Sequence, residues 1–66
     1  MKIMVNGEEL EIEAGWTIAR LIQHFDLPEK KLAVERNLQI VPKSSFAKQL
    51  LADGDRIEIV HFIGGG

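Results

Sequence analysis

Asn6-Gly7 constrains the fold more strongly than any other pair in this chain, because of what flanks it. On one side Lys2, Ile3, Met4 and Val5 alternate in polarity, and on the other Glu9, Leu10, Glu11, Ile12 and Glu13 do the same. Period-two alternation marks strands with one buried face. Both residues of the pair tolerate the positive φ of a tight type I′ turn, whose twist suits two antiparallel strands. The first twelve or so residues are therefore predicted to form a β-hairpin.

A helix follows. Thr17 is suited to cap it by accepting a hydrogen bond from a free amide of the first turn. Ile18, Leu21, Ile22 and Phe25 recur at the spacing of one apolar helical stripe. Leu27-Pro28 stops the helix, since proline disfavours a helical residue before it. "LAVER" and "QIVP" read as two short strands around Asn37-Leu38. Pro42 has no amide to donate, so the second strand ends there or lies on an edge. "SSFAKQL" predicts a brief helical turn, capped by Ser44 or Ser45, with Phe46 and Leu50 as its inward pair. Asp53-Gly54-Asp55 is a turn, and "RIEIVHF" is the last strand. The expected class is α+β: a mixed sheet on one main helix plus a short helical turn, the plan called a β-grasp, as a single domain over residues 1–66.

Sixty-six residues leave room for one small core. Chains of this size bury about 60% of the surface their unfolded form exposes. There is no cysteine, hence no disulfide, thiol nucleophile or cysteine metal site, which fits a reducing compartment. A net charge of −2 argues against nucleic acid, for which a basic stripe is expected. No apolar run approaches a membrane span, and "MKIMVNG" has no signal-peptide core. A cytoplasmic protein is expected.

Three consecutive glycines, Gly64, Gly65 and Gly66, follow the last strand directly. Glycine loses more conformational freedom on ordering than any other residue, so such a run stays mobile unless a partner holds it. A frayed end is the ordinary explanation. The alternative follows from shape, because a glycine tail is the thinnest polypeptide and can place a terminal carboxylate deep in a narrow channel. That carboxylate, with an ordinary pKa of about 3.3–3.7, is a poor electrophile and needs activation, most simply by adenylation with ATP. This chain has no phosphate-cradling loop of its own. The activating enzyme must be a partner, with this chain as its cargo and no cofactor of its own.

"VNG" in the first hairpin, "TIARLI" opening the helix, "AVERN", "IVP" before a basic residue, "DGD-x-IEIV" and the terminal "GGG" together resemble the thiamine-biosynthesis sulfur carrier family, ThiS. The match runs from Ile3 to Gly66. The resemblance implies a ubiquitin-like β-grasp fold and a non-enzymatic role. It implies that Gly66 is adenylated by an E1-like adenylyltransferase (ThiF-type) using ATP and becomes a thiocarboxylate, with Gly65 and Gly64 as its slender neighbours. Sulfur would come from a donor such as a cysteine desulfurase and pass to thiazole synthase (ThiG-type). Lys43 stands where the family often has arginine. Rival readings are a sulfur carrier of the molybdopterin synthase type, a ubiquitin-like protein modifier, and an interaction module with an idle tail.

On the last strand, Ile57, Ile59, His61 and Ile63 share the face better suited to the core. Val60 and Phe62 fall on the outer face, where they would dock the activating enzyme. Met4 extends that patch if Ile3 and Val5 point inward, and Ile63, beside the glycines, is a further candidate contact. Trp16 would close one end of the core, stapled against the helix. Glu8, Glu9, Glu11 and Glu13 read as a solvated face. Asp53-Gly54-Asp55 lacks the rest of a calcium loop. His24 and His61 have no third ligand in sight, so no metal site is expected.

Overall fold

A computed structural model describes residues 1–62. Ile63, Gly64, Gly65 and Gly66, on which the tail expectations rest, lie outside the described residues.

The Asn6-Gly7 hairpin is present, with both residues at positive φ (49° and 84°). It joins β1 (Lys2–Val5) to β2 (Glu8–Glu11), paired antiparallel from Lys2 opposite Glu11 to Val5 opposite Glu8. Helix α1 (Ile18–His24) starts where Thr17 accepts a hydrogen bond from the Arg20 amide at 3.1 Å. β3 (Leu32–Arg36) and β4 (Gln39–Val41) form a second hairpin, and β5 (Arg56–His61) completes the sheet. The order across the sheet is β2-β1-β5-β3-β4, with β1 and β5 parallel and every other pair antiparallel. Thus β5 runs through the middle of the sheet. β4 forms one edge, as Pro42 just beyond it led us to expect.

One face of this sheet meets α1. Ile3 and Val5 of β1, Leu32 and Val34 of β3, and Ile57 of β5 bury their side chains against Ile18, Leu21 and Ile22. Ile12, Val41, Phe46 and Leu51 close the rest of the core. Each fully buried side chain of this kind contributes about 1.5–3 kcal/mol relative to leaving it in water.

Three expectations are corrected. Phe25 does not complete the helical stripe and is 40% exposed. The helix ends a residue earlier, in a paired-bond cap: Asp26, at φ 55°, donates to the Gln23 carbonyl, and Leu27 donates to that of Ile22. Leu27 then turns back onto the core, leaving Phe25 at its margin.

The short turn after β4 spans Lys43–Ser45 as a 3₁₀ turn preceded by Pro42, so neither Ser44 nor Ser45 caps it. Its chain does not continue as a helix, and the four-residue spacing that paired Phe46 with Leu50 fails. Leu50 is exposed and bridges to Thr17, while Leu51 is the residue buried. A further 3₁₀ turn, Glu29–Lys31, leads into β3 and was not foreseen.

Candidate functional site

The candidate site is the root of the tail, and the fold spends much of its hydrogen bonding on holding the strand that leads to it. Parallel pairing between β1 and β5 covers only Met4 opposite Arg56 and Val5 opposite Ile57. Beyond that, Asn6 extends the ladder. Its backbone amide donates to the Ile57 carbonyl at 2.9 Å. Its side-chain amide accepts from the Ile59 N–H at 2.7 Å and donates to the Ile59 carbonyl at 3.2 Å. A turn residue thus substitutes for a strand. On the other flank β3 pairs continuously with β5, from Arg36 opposite Ile57 to Leu32 opposite His61. One residue further, the Phe62 amide donates to the Lys31 carbonyl at 3.0 Å.

The start of β5 is tied by Asp55, which is buried. Its carboxylate accepts hydrogen bonds from Arg36 Nε at 2.8 Å, Asn37 Nδ2 at 3.0 Å and the Ala52 amide at 2.8 Å. Burial alone would raise its pKa. The bonds from Ala52, Asn37 and Arg36, with the Arg36 charge, outweigh that and hold it below the ordinary carboxylate value. Asn37 reaches the strand as well, since its Oδ1 accepts from the Arg56 amide at 2.9 Å and its own amide donates to the Arg56 carbonyl at 2.8 Å. "VNG", "ERN" and "DGD", separate motifs in the sequence, therefore converge on β5.

On the outer sheet face Val60 and Phe62 are exposed, as expected. Val60 stands opposite Ala33, and the neighbouring β4 contributes Ile40, 67% exposed. Ile40 was missed, although its alternation with the buried Val41 was a readable signal. Leu38, at the tip of the same hairpin, is 89% exposed and at φ 70°. Met4 is on this face but stands opposite Arg56, so Glu58 separates it from Val60 along β5. The phenyl ring of Phe62 lies under the ammonium of Lys43, 5.4 Å from ring centroid to Nζ.

On the inner face Ile57 is buried and Ile59 half-buried, but His61 has run past the core and is exposed. It lines an open cleft of about 440 Å³ with Leu10, Phe25, Leu27 and Ile59. His24 is exposed on the helix and packs its ring 5.5 Å from Trp16. Trp16 is half-buried against the core, with the Arg20 guanidinium 4.3 Å above it. Among the described residues no cluster of histidine, cysteine, aspartate or glutamate could hold a metal, and no helix is long and apolar enough to cross a membrane.

A mixed sheet laid on one helix, with a parallel central strand that leads to a glycine tail, defines a ubiquitin-like β-grasp protein. The crystal structure of a thiamine biosynthesis protein (ThiS) from Geobacter metallireducens has this fold, with a TM-score of 0.81, 26% identity and full coverage of both chains. The ThiS family model matches residues 3–66, and the chain belongs to that family of sulfur carriers. The sulfur carrier protein ThiS of Escherichia coli is 33% identical over the whole of both chains. A thiazole synthase of Paramagnetospirillum magneticum is 52% identical over all of this chain, which spans only 20% of that relative's length.

Proposed function

We propose that this protein is a sulfur carrier of thiamine biosynthesis, acting in the cytoplasm, with the α-carboxylate of Gly66 as its working group. An E1-like adenylyltransferase binds the outer face around Val60 and Phe62, with Met4 at its far margin and Ile63 beside the tail. The carboxylate attacks the α-phosphate of ATP and pyrophosphate leaves. The terminal sulfur of a persulfide supplied through a cysteine desulfurase then displaces AMP, and a thiol reductant attacks the outer sulfur of the resulting acyl disulfide, releasing the thiocarboxylate and leaving a disulfide behind. The thiocarboxylate sulfur is a softer and stronger nucleophile than oxygen, and tethering it keeps its effective concentration high at the receiving site. That site belongs to a thiazole synthase.

The observation that carries this reading is the central strand, held on the β1 side as far as Ile59 and on the β3 side as far as Phe62, with Gly64, Gly65 and Gly66 next but one in the sequence. Agreement over the full length of the E. coli carrier supports it. The alignment of the whole chain with one-fifth of a thiazole synthase supports that enzyme, rather than molybdopterin synthase, as the acceptor. A strain deleted for this protein should require thiazole or thiamine, and a gene lacking the Gly66 codon should not restore growth. Growth without supplement, or restoration by the truncated gene, would overturn the reading.

A further inference from the structure

We infer that Lys43 is a positioning residue for the tail, acting through Phe62; the inference rests on the sulfur-carrier reading. The backbone of Lys43 is itself fixed. Pro42 precedes it at φ −63° and ψ 147°, the Pro42 carbonyl accepts from Ser45 at 2.9 Å, and the Lys43 carbonyl accepts from Phe46 at 3.1 Å. Phe46 is among the most deeply buried side chains, so the turn bearing Lys43 is anchored in the core. From there the ammonium donates to the Lys30 carbonyl and lies over the Phe62 ring. The adjacent carbonyl, that of Lys31, accepts the Phe62 amide. Two successive carbonyls of one 3₁₀ turn thus receive the lysine and the residue the lysine covers.

This joins three segments, the turn after β4, the turn before β3 and the exit of β5, at the last described residue. The join falls where the sheet gives out, since the final ladder pair is Leu32 with His61. Among the described residues, the bond to the Lys31 carbonyl is the one backbone hydrogen bond that Phe62 makes. The four residues that follow span at most about 14 Å when extended, so the direction in which Phe62 leaves the sheet sets the region their carboxyl end can reach. The position needs both a positive charge for the ring face and a donor for the carbonyl. Arginine supplies both, and methionine keeps the stem but supplies neither.

The test uses the intact carrier with the E1-like enzyme and ATP, following pyrophosphate release at varied carrier concentration. Lys43→Met should raise KM for the carrier by about two- to fivefold with kcat unchanged, the range of an exposed cation–π contact. Lys43→Arg should restore the wild-type value. Phe62→Leu should raise KM as well, and adding Lys43→Met to it should cost nothing further, because the lysine acts through the ring. Full additivity, a fall in kcat alone, or no recovery with arginine would overturn the inference.

NMR of the free carrier tests the contact without any partner. The ε-methylene protons of Lys43 should be shifted upfield by the Phe62 ring and should lose that shift in Phe62→Leu. Wild-type protons without the shift would refute the contact. Failure of the wild-type protein to be adenylated at all would count against the sulfur-carrier reading, and the ring-current shift would still decide the contact.

Discussion

Replacing Asp55 by alanine should be among the most damaging single changes to this protein. The carboxylate is buried and accepts from Arg36, Asn37 and Ala52 within 2.8–3.0 Å. Truncation removes all three bonds, strands the Ala52 amide and leaves Arg36, only 29% exposed, beside an empty space. Removing one member of a buried ion pair costs about 3–5 kcal/mol, and with Arg36 partly exposed this pair falls at the lower end. A domain of this length has a total stability of about 3–10 kcal/mol, so Asp55→Ala should leave a large unfolded fraction. Asp55→Asn keeps the shape but not the charge, and should cost about 1.5–3 kcal/mol, the range for hydrogen bonds to charged groups. Urea denaturation followed by Trp16 fluorescence and far-ultraviolet circular dichroism measures both. Asp53→Ala is the control, because Asp53 is exposed and, among the described residues, accepts only the Lys2 amide. A loss below about 1 kcal/mol for Asp55→Ala, against the 3–5 kcal/mol argued above, would refute the claim that this knot secures the start of β5.

The same carboxylate makes the stability depend on pH. Its folded pKa is depressed, so its contribution is complete above the unfolded value of about 3.9 and is lost as pH falls through the lower folded value. Acid titration of the midpoint should show this loss in the wild type and a shallower one in Asp55→Asn. Leu38→Gly should stabilise the protein by up to about 1 kcal/mol, since an exposed leucine at φ 70° gives up strain and little burial; a lower urea midpoint would contradict this. Phe62→Asp should weaken binding of the adenylating enzyme, read by titration calorimetry, with an unchanged urea midpoint. Unaltered affinity would remove Phe62 from the interface.

Features set by neighbours in sequence were legible. Asn6-Gly7 with its flanking alternation and the Thr17 cap depend on contacts within a few residues, and the last strand showed in its own period-two alternation. Where local rules compete with tertiary ones, reading failed. Phe25 fits the helical stripe, but Asp26 enters the left-handed region and ends the helix first, with no glycine to signal it. Leu50 looked inward on the assumption of helical spacing through a segment that is irregular, and Leu51 took its place. Asp55 carried the signature of a solvent-exposed turn, yet its partners Arg36 and Asn37 lie 19 and 18 residues away. Asn6 was chosen for its turn chemistry, and nothing nearby announces that its side chain extends a parallel ladder to Ile59. Of the tail's surroundings, the outward Val60 and Phe62 followed from strand parity. The contact between Lys43 and Phe62 joins elements that only the sheet order brings together.

The central claim is that Gly66 is loaded with sulfur at its carboxyl group. The most direct measurement is the intact mass of the carrier after incubation with the E1-like enzyme, ATP and a sulfur donor. The account predicts the mass change of one oxygen replaced by sulfur, localised to the C-terminal peptide and absent when Gly66 is deleted. An unchanged mass, under conditions in which the E. coli carrier acquires the sulfur, would contradict it.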